Sequence, residues 1–117
     1  MNLVIVSQAR GRVPVTVLQV QERVNMGNTA ELEQAARQAF AAGGRDMVID
    51  LARVPSLTSA GIRTILVIHR LLTEEGSQTR HLKLVNPTAY VRQVLDIAGL
   101  LVHMEIYSSV DEAVASF

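Results

Sequence analysis

Apolar and polar positions change period several times along the chain, and each change marks an element. Leu3 to Val6 is an apolar, β-branched run and reads as a strand. "RGR" turns the chain at Gly11, and the Val-rich, partly alternating "VPVTVLQV" reads as a second strand antiparallel to the first. Pro14 puts this hairpin near a sheet edge, because proline cannot donate to a ladder. The period then lengthens. In "GNTAELEQAARQAFAAGG", Leu32, Ala35, Ala36, Ala39 and Phe40 make one helical stripe. Asn28 or Thr29 can cap its start, with Glu31 three residues after Asn28 as a capping box requires, and Gly43 and Gly44 end it.

The second half repeats a strand-then-helix rhythm. "DMVIDLARV" is a short apolar run between polar residues, the pattern of a central strand. A helix from about Ala60 to Glu75 follows, with Ile62, Ile65, Leu66, His69 and Leu72 on one side and Gly76 as its stop. Ile62, Ile65 and Leu66 are therefore expected to face the sheet or a neighbouring helix. "HLKLVN" reads as a strand, and Pro87 opens a helix carrying Val91, Val94, Leu95 and Ala98 that stops at Gly99. "HMEIY" is a last short strand. "SSVDEAVASF" is a closing helix, with a Ser109–Glu112 capping box and a stripe of Val110, Ala113, Val114 and Phe117. The order β-β-α-β-α-β-α-β-α predicts an α/β fold. It gives one domain over residues 1–117, with a mixed, mostly parallel sheet of five strands and four helices. Periodicity does not fix which helix covers which face.

Composition narrows the function classes. The 117 residues are 49% hydrophobic but only 3% aromatic, so the core is aliphatic and a base-stacking surface is disfavoured. Lys plus Arg and Asp plus Glu are 11 each, which points away from direct nucleic-acid binding and leaves self-association, such as a homodimer, open. The chain has no Cys, so it lacks thiolate chemistry, and a reducing cytoplasm suits it. No apolar run reaches the ~18 residues of a membrane span, so no membrane insertion is expected.

The search for catalytic chemistry returns little. His69, His81 and His103 fall in three separate elements without metal-ligand spacing. No glycine-rich phosphate loop is present, and the carboxylate pairs Asp46/Asp50 and Glu74/Glu75 read as surface charge. Neither an enzyme nor a cofactor or metal is expected. What stands out is "VPSLTSAGIRTIL", where Thr58 and Ser59 lie between a strand and a helix. One reading is a simple N-cap. The other is a phosphate acceptor: a helix N-terminus offers free N–H groups and a partial positive charge, so the helix tolerates the anion.

"VIDL", "TSAGI", "LVNP", "VRQVLDIAGL" and "IYSSVDEAV", in this order and spacing, resemble the STAS domain, and the likeness runs over nearly the whole chain. That domain is shared by bacterial anti-sigma-factor antagonists and the cytoplasmic tails of sulphate transporters. The resemblance implies a regulatory binding protein acting in the cytoplasm. Its partner would be an anti-sigma factor with serine kinase activity, and phosphorylation would switch it off. In phosphorylatable members the motif at this helix is Asp-Ser-Ser-Gly or Asp-Ser-Thr-Gly. Here Thr58 takes the Asp position, Ser59 the acceptor position and Gly61 the Gly position. A second family segment, Gly-x-Leu/Ile-Asp, reads "ERVN", with Glu22 for the Gly and Asn25 for the Asp. The resemblance therefore gives Ser59 as the phosphorylation site and Asn25, Asn28, Thr58, Ser59 and Gly61 as partner-binding positions. The two departures, Thr58 and Asn25, also suit an alternative: a non-phosphorylated scaffold subunit of a signalling assembly or a lipid-transport complex.

Overall fold

The structure, a computed structural model, describes residues 3–73 and 81–117. Five strands form one sheet in sequence order: β1 (Val4–Arg10), β2 (Pro14–Val20), β3 (Met47–Asp50), β4 (Leu82–Val85) and β5 (Glu105–Tyr107). The β1–β2 hairpin is antiparallel, with Val4 opposite Val20 and Arg10 opposite Pro14, and every later pairing is parallel. The first strand continues to Arg10, beyond the apolar run that announces it, because its polar second half still pairs with the Val-rich β2.

The helices divide unequally. Helices α1 (Thr29–Ala41), α2 (Ser59–Thr73) and α3 (Ala89–Ile97) lie on one face, where Leu32, Ala36, Ile65, Ile68, Leu72, Val91 and Leu95 pack on Leu18, Met47, Ile49, Leu82 and Leu84. The short α4 (Val110–Ala115) alone covers the other face, with Ala113 and Val114 against Val15, Val17, Val48 and Val85. Strand alternation separates these two sets. Lys83 points to the α4 side. Its ammonium donates to Ser116 Oγ at 2.7 Å and lies 4.3 Å from the Phe117 ring centre, which lets a cation stay buried there. Among the described residues, no helix is long and apolar enough to cross a membrane.

Three local expectations are corrected. Asn28 sits at the α1 N-cap, but its side chain makes no cap bond, and the Glu31 carboxylate instead accepts from the backbone N–H of Leu3 and Val4. Glu31 thus staples α1 to the start of β1, and there is no capping box. Thr88, not Pro87, begins α3: its hydroxyl accepts from the Val91 N–H at 3.2 Å. At α4 only half the box forms, with Ser109 Oγ accepting from the Glu112 N–H while the Glu112 carboxylate takes the Ser108 hydroxyl. On α2 the buried line runs through Gly61, Thr64, Ile65, Ile68 and Leu72, and Ile62 and Leu66, half-buried on its flank, pack against the same core as expected. The helix stop at Gly76 and the Glu74/Glu75 pair lie outside the described residues.

Candidate partner-binding site at the start of the second helix

The site is built where β3 runs through a loop into α2. Val54 and Leu57 in that loop are buried and hold the chain down on the core. Leu57 forms an isolated parallel bridge with Val24, from the loop between β2 and α1. Thr58 then ties the two loops together. Both its N–H and its hydroxyl donate to the Val24 carbonyl, at 3.2 and 3.1 Å, while the hydroxyl oxygen accepts from the Gly61 N–H at 3.3 Å. One side chain caps the helix and fastens a neighbouring loop to it.

Gly61 is buried in this joint. A Cβ there would lie 3.1 Å from Val24 Cγ1 and 3.2 Å from Leu57 Cδ2, so glycine permits the close approach of the two loops. Gly61 supports the site from beneath and presents no side chain to solvent. Asn25 and Asn28 also work within the loop. The Asn25 side chain accepts from the Gly27 N–H at 2.8 Å, and Asn28 accepts from the Asn25 N–H at 2.9 Å and donates to the Arg23 carbonyl at 2.9 Å. Both are half-buried, and the tip they shape carries Met26, 84% exposed.

Ser59 is the first residue of α2 and is exposed, one residue from the joint with Val24. Its hydroxyl makes no hydrogen bond among the described residues. The structure therefore brings Asn25, Thr58, Ser59 and Gly61 into one corner, with Thr58 and Gly61 building it and Ser59 facing outward. From Ser59, a groove of about 380 Å³ runs along α2, lined by Ile62, Arg63, Leu66, Val67 and Arg70. Ile62 and Leu66 pack against the core, as the sequence predicts, and also leave part of their surface in this groove. The sequence reading missed Met26, although an apolar residue at a loop tip between Asn25 and Gly27 is itself a signal.

The histidines are closer to other groups than their separation along the chain suggests. The His69 and His103 rings lie 6.1 Å apart, and His81 Nδ1 is 2.7 Å from Asp46 Oδ1. No group of three or more potential metal ligands occurs among the described residues.

Comparison with known proteins agrees with this architecture. The family model of the STAS domain matches residues 6–113. "Putative anti-sigma factor antagonist BtrV" of Bordetella bronchiseptica is 31% identical over 94 residues, covering 80% of this chain and 78% of that protein. An anti-sigma factor antagonist from Mycobacterium paratuberculosis superposes with a TM-score of 0.82 at 24% identity, over 97% of this chain and 91% of that one. The unphosphorylated form of the antagonist SpoIIAA gives 0.78 at 17% identity, over 97% and 94%. Its phosphorylated form gives 0.71 at 17% identity, over 97% of each. The fold is that of the anti-sigma factor antagonists, and the chain belongs to the STAS domain family.

Proposed function

We propose that this chain is an anti-sigma-factor antagonist whose partner is an anti-sigma factor with serine kinase activity, and that phosphorylation of Ser59 switches it off. The observation that carries this reading is the position of Ser59: exposed, with a free hydroxyl among the described residues, at the head of a groove floored by Ile62, Leu66 and Val67. Half-buried aliphatic side chains on an outward helix face supply area for a partner to cover. A hydroxyl at the rim of such a contact is easily accommodated. A phosphate there adds up to ~2 negative charges to a surface that must lose water on docking. The helix N-terminus tolerates that anion, so the change falls on binding and not on folding.

Titration of a serine-kinase anti-sigma factor encoded beside this chain tests the reading. Wild type and Ser59→Ala should bind alike, and Ser59→Asp should bind about thirtyfold more weakly, roughly 2 kcal/mol, with all three equally stable. Incubation with the kinase and ATP should place phosphate on Ser59 by mass-spectrometric mapping. Equal affinity of the three proteins, with no phosphate on Ser59, would reject the switch and leave the scaffold reading, in which Thr58 serves only the joint with Val24.

A further inference from the structure

Arg63 follows Ser59 by one helical turn, and the two line the same groove. It is exposed and takes part in no ion pair among the described residues. Helix α2, from Ser59 to Thr73, contains no Asp or Glu. A free guanidinium thus stands beside the candidate acceptor with no carboxylate on its own helix to occupy it. That changes what a phosphate on Ser59 would do, because the phosphate would meet a cation before it met the partner.

Resting on the reading of Ser59 as the switch, we propose that Arg63 reads its state. With Ser59 free, Arg63 pairs with a carboxylate of the partner, which also lays apolar side chains on Ile62, Leu66 and Val67. With Ser59 phosphorylated, the guanidinium turns back to the phosphate and the partner loses its counter-charge. An acidic group four residues before a basic one is the favourable order on a helix. Arg also binds phosphate through two parallel N–H donors. Being on the same helix, the phosphate acts at high effective concentration and outcompetes a carboxylate arriving from solution. Arg70 lies eleven residues beyond Ser59, roughly 16 Å along the axis, and is out of the phosphate's reach. The switch works by withdrawing an attraction as well as by adding charge. The partner it implies carries a carboxylate flanked by aliphatic residues.

The cis pairing is measurable without the partner. Phosphoserine is incorporated at position 59 of the full chain, and its second ionisation is followed by ³¹P NMR. Arg63→Gln should raise that pKa by about half a unit or more, because a neighbouring cation favours the dianion, and Arg70→Gln should leave it unchanged. Superimposable titrations for wild type and Arg63→Gln would overturn the proposal. An affinity cycle with the anti-sigma kinase separates the two layers of the reading. Arg63→Gln alone should weaken binding about tenfold, and the loss caused by Ser59→Asp should shrink from about thirtyfold to under about fivefold in the Arg63→Gln background. An equal loss in both backgrounds would overturn the role of Arg63 and leave the switch standing. No loss in either background would reject the switch at Ser59, and this inference with it.

Discussion

Helices α2 and α3 start and seat themselves on the sheet in the same way and then diverge at the surface. Each follows a parallel strand, and each is capped by a threonine whose hydroxyl accepts from the N–H three residues on, Thr58 from Gly61 and Thr88 from Val91. Six residues after its first position each seats an aliphatic anchor in the core, Ile65 at 1% exposure and Leu95 at 0%. The outward positions then diverge. Where α2 has Ile62, Arg63 and Leu66, α3 has Arg92, Gln93 and Asp96 at the same steps. The exposed apolar residues of α3, Tyr90 and Ile97, stand two turns apart. At the three compared steps α3 is polar, although it exposes Tyr90 and Ile97 on one side, more than α2 exposes Ile62 or Leu66. On α2, Ile62 and Leu66 pack against the core and leave part of their surface in the groove beside Ser59, which is the area the proposed partner would cover.

The largest effects should be the same at both helices. Ile65→Ala and Leu95→Ala should each cost about 2–5 kcal/mol in denaturant melts, as truncation of a fully buried side chain does. A loss under about 1 kcal/mol at only one of them would break the equivalence of their seating. The next contrast exchanges outer faces. Leu66→Asp, which gives α2 the residue found on α3, should cost only about 1–2 kcal/mol in stability, since Leu66 is half-buried. It should nonetheless weaken binding of the anti-sigma kinase tenfold or more. The reverse change, Asp96→Leu, should leave affinity untouched. Retained affinity in Leu66→Asp would mean that the partner docks elsewhere.

The two caps differ in a way that calls for a third comparison. Thr88 serves its own helix, whereas the Thr58 hydroxyl also donates to the Val24 carbonyl. Thr88→Val should cost about 1 kcal/mol, the value of a cap. Thr58→Val should cost about 2 kcal/mol, because a second, half-buried hydrogen bond goes with the cap. Amide exchange gives the same contrast locally: protection around Val24 should fall in Thr58→Val and not in Thr88→Val.

These pairs also show what the sequence made legible. Element order and the two-strand start followed from the change between short and helical periods, because burial on one face imposes those periods. The division of helices between faces did not follow, since a stripe says that a helix has a buried side but not which sheet face receives it. The start of α2 was legible as a junction, and Ser59 as its outward residue. The structural work of Gly61 and Asn25 was not legible: Gly61 lets Val24, far along the chain, approach closely, and Asn25 shapes its own loop through bonds with Gly27 and Asn28. Glu31 is a similar case: its spacing from Asn28 is that of a capping box, yet Leu3 and Val4 offered the carboxylate two N–H groups from another element. Ile62 and Leu66 do pack against the core, and what periodicity leaves out is the part of their surface that stays in the groove beside Ser59.

The smallest effect bears on the residue that departs from the family motif. Asp at a helix start is worth about 0.3–1 kcal/mol through the dipole, and its carboxylate accepts from the backbone as Thr does. Thr88→Asp should therefore hold or raise stability, by up to about 1 kcal/mol. Thr58→Asp gains the same term but loses the donor. An ionised carboxylate cannot donate to the Val24 carbonyl, and its oxygens would face that acceptor at the 3.1 Å now spanned by a hydrogen bond. The side chain must turn from the carbonyl, and the dipole gain is offset. Thr58→Asp should thus sit within about 0.5 kcal/mol of wild type or below it, under conditions where Thr88→Asp gains. Paired urea melts at neutral pH measure the difference. A gain at position 58 equal to that at 88 would show that the Thr58 N–H alone holds the Val24 loop. The hydroxyl would then be dispensable, and Thr58 would have no structural reason to stand where the family carries Asp.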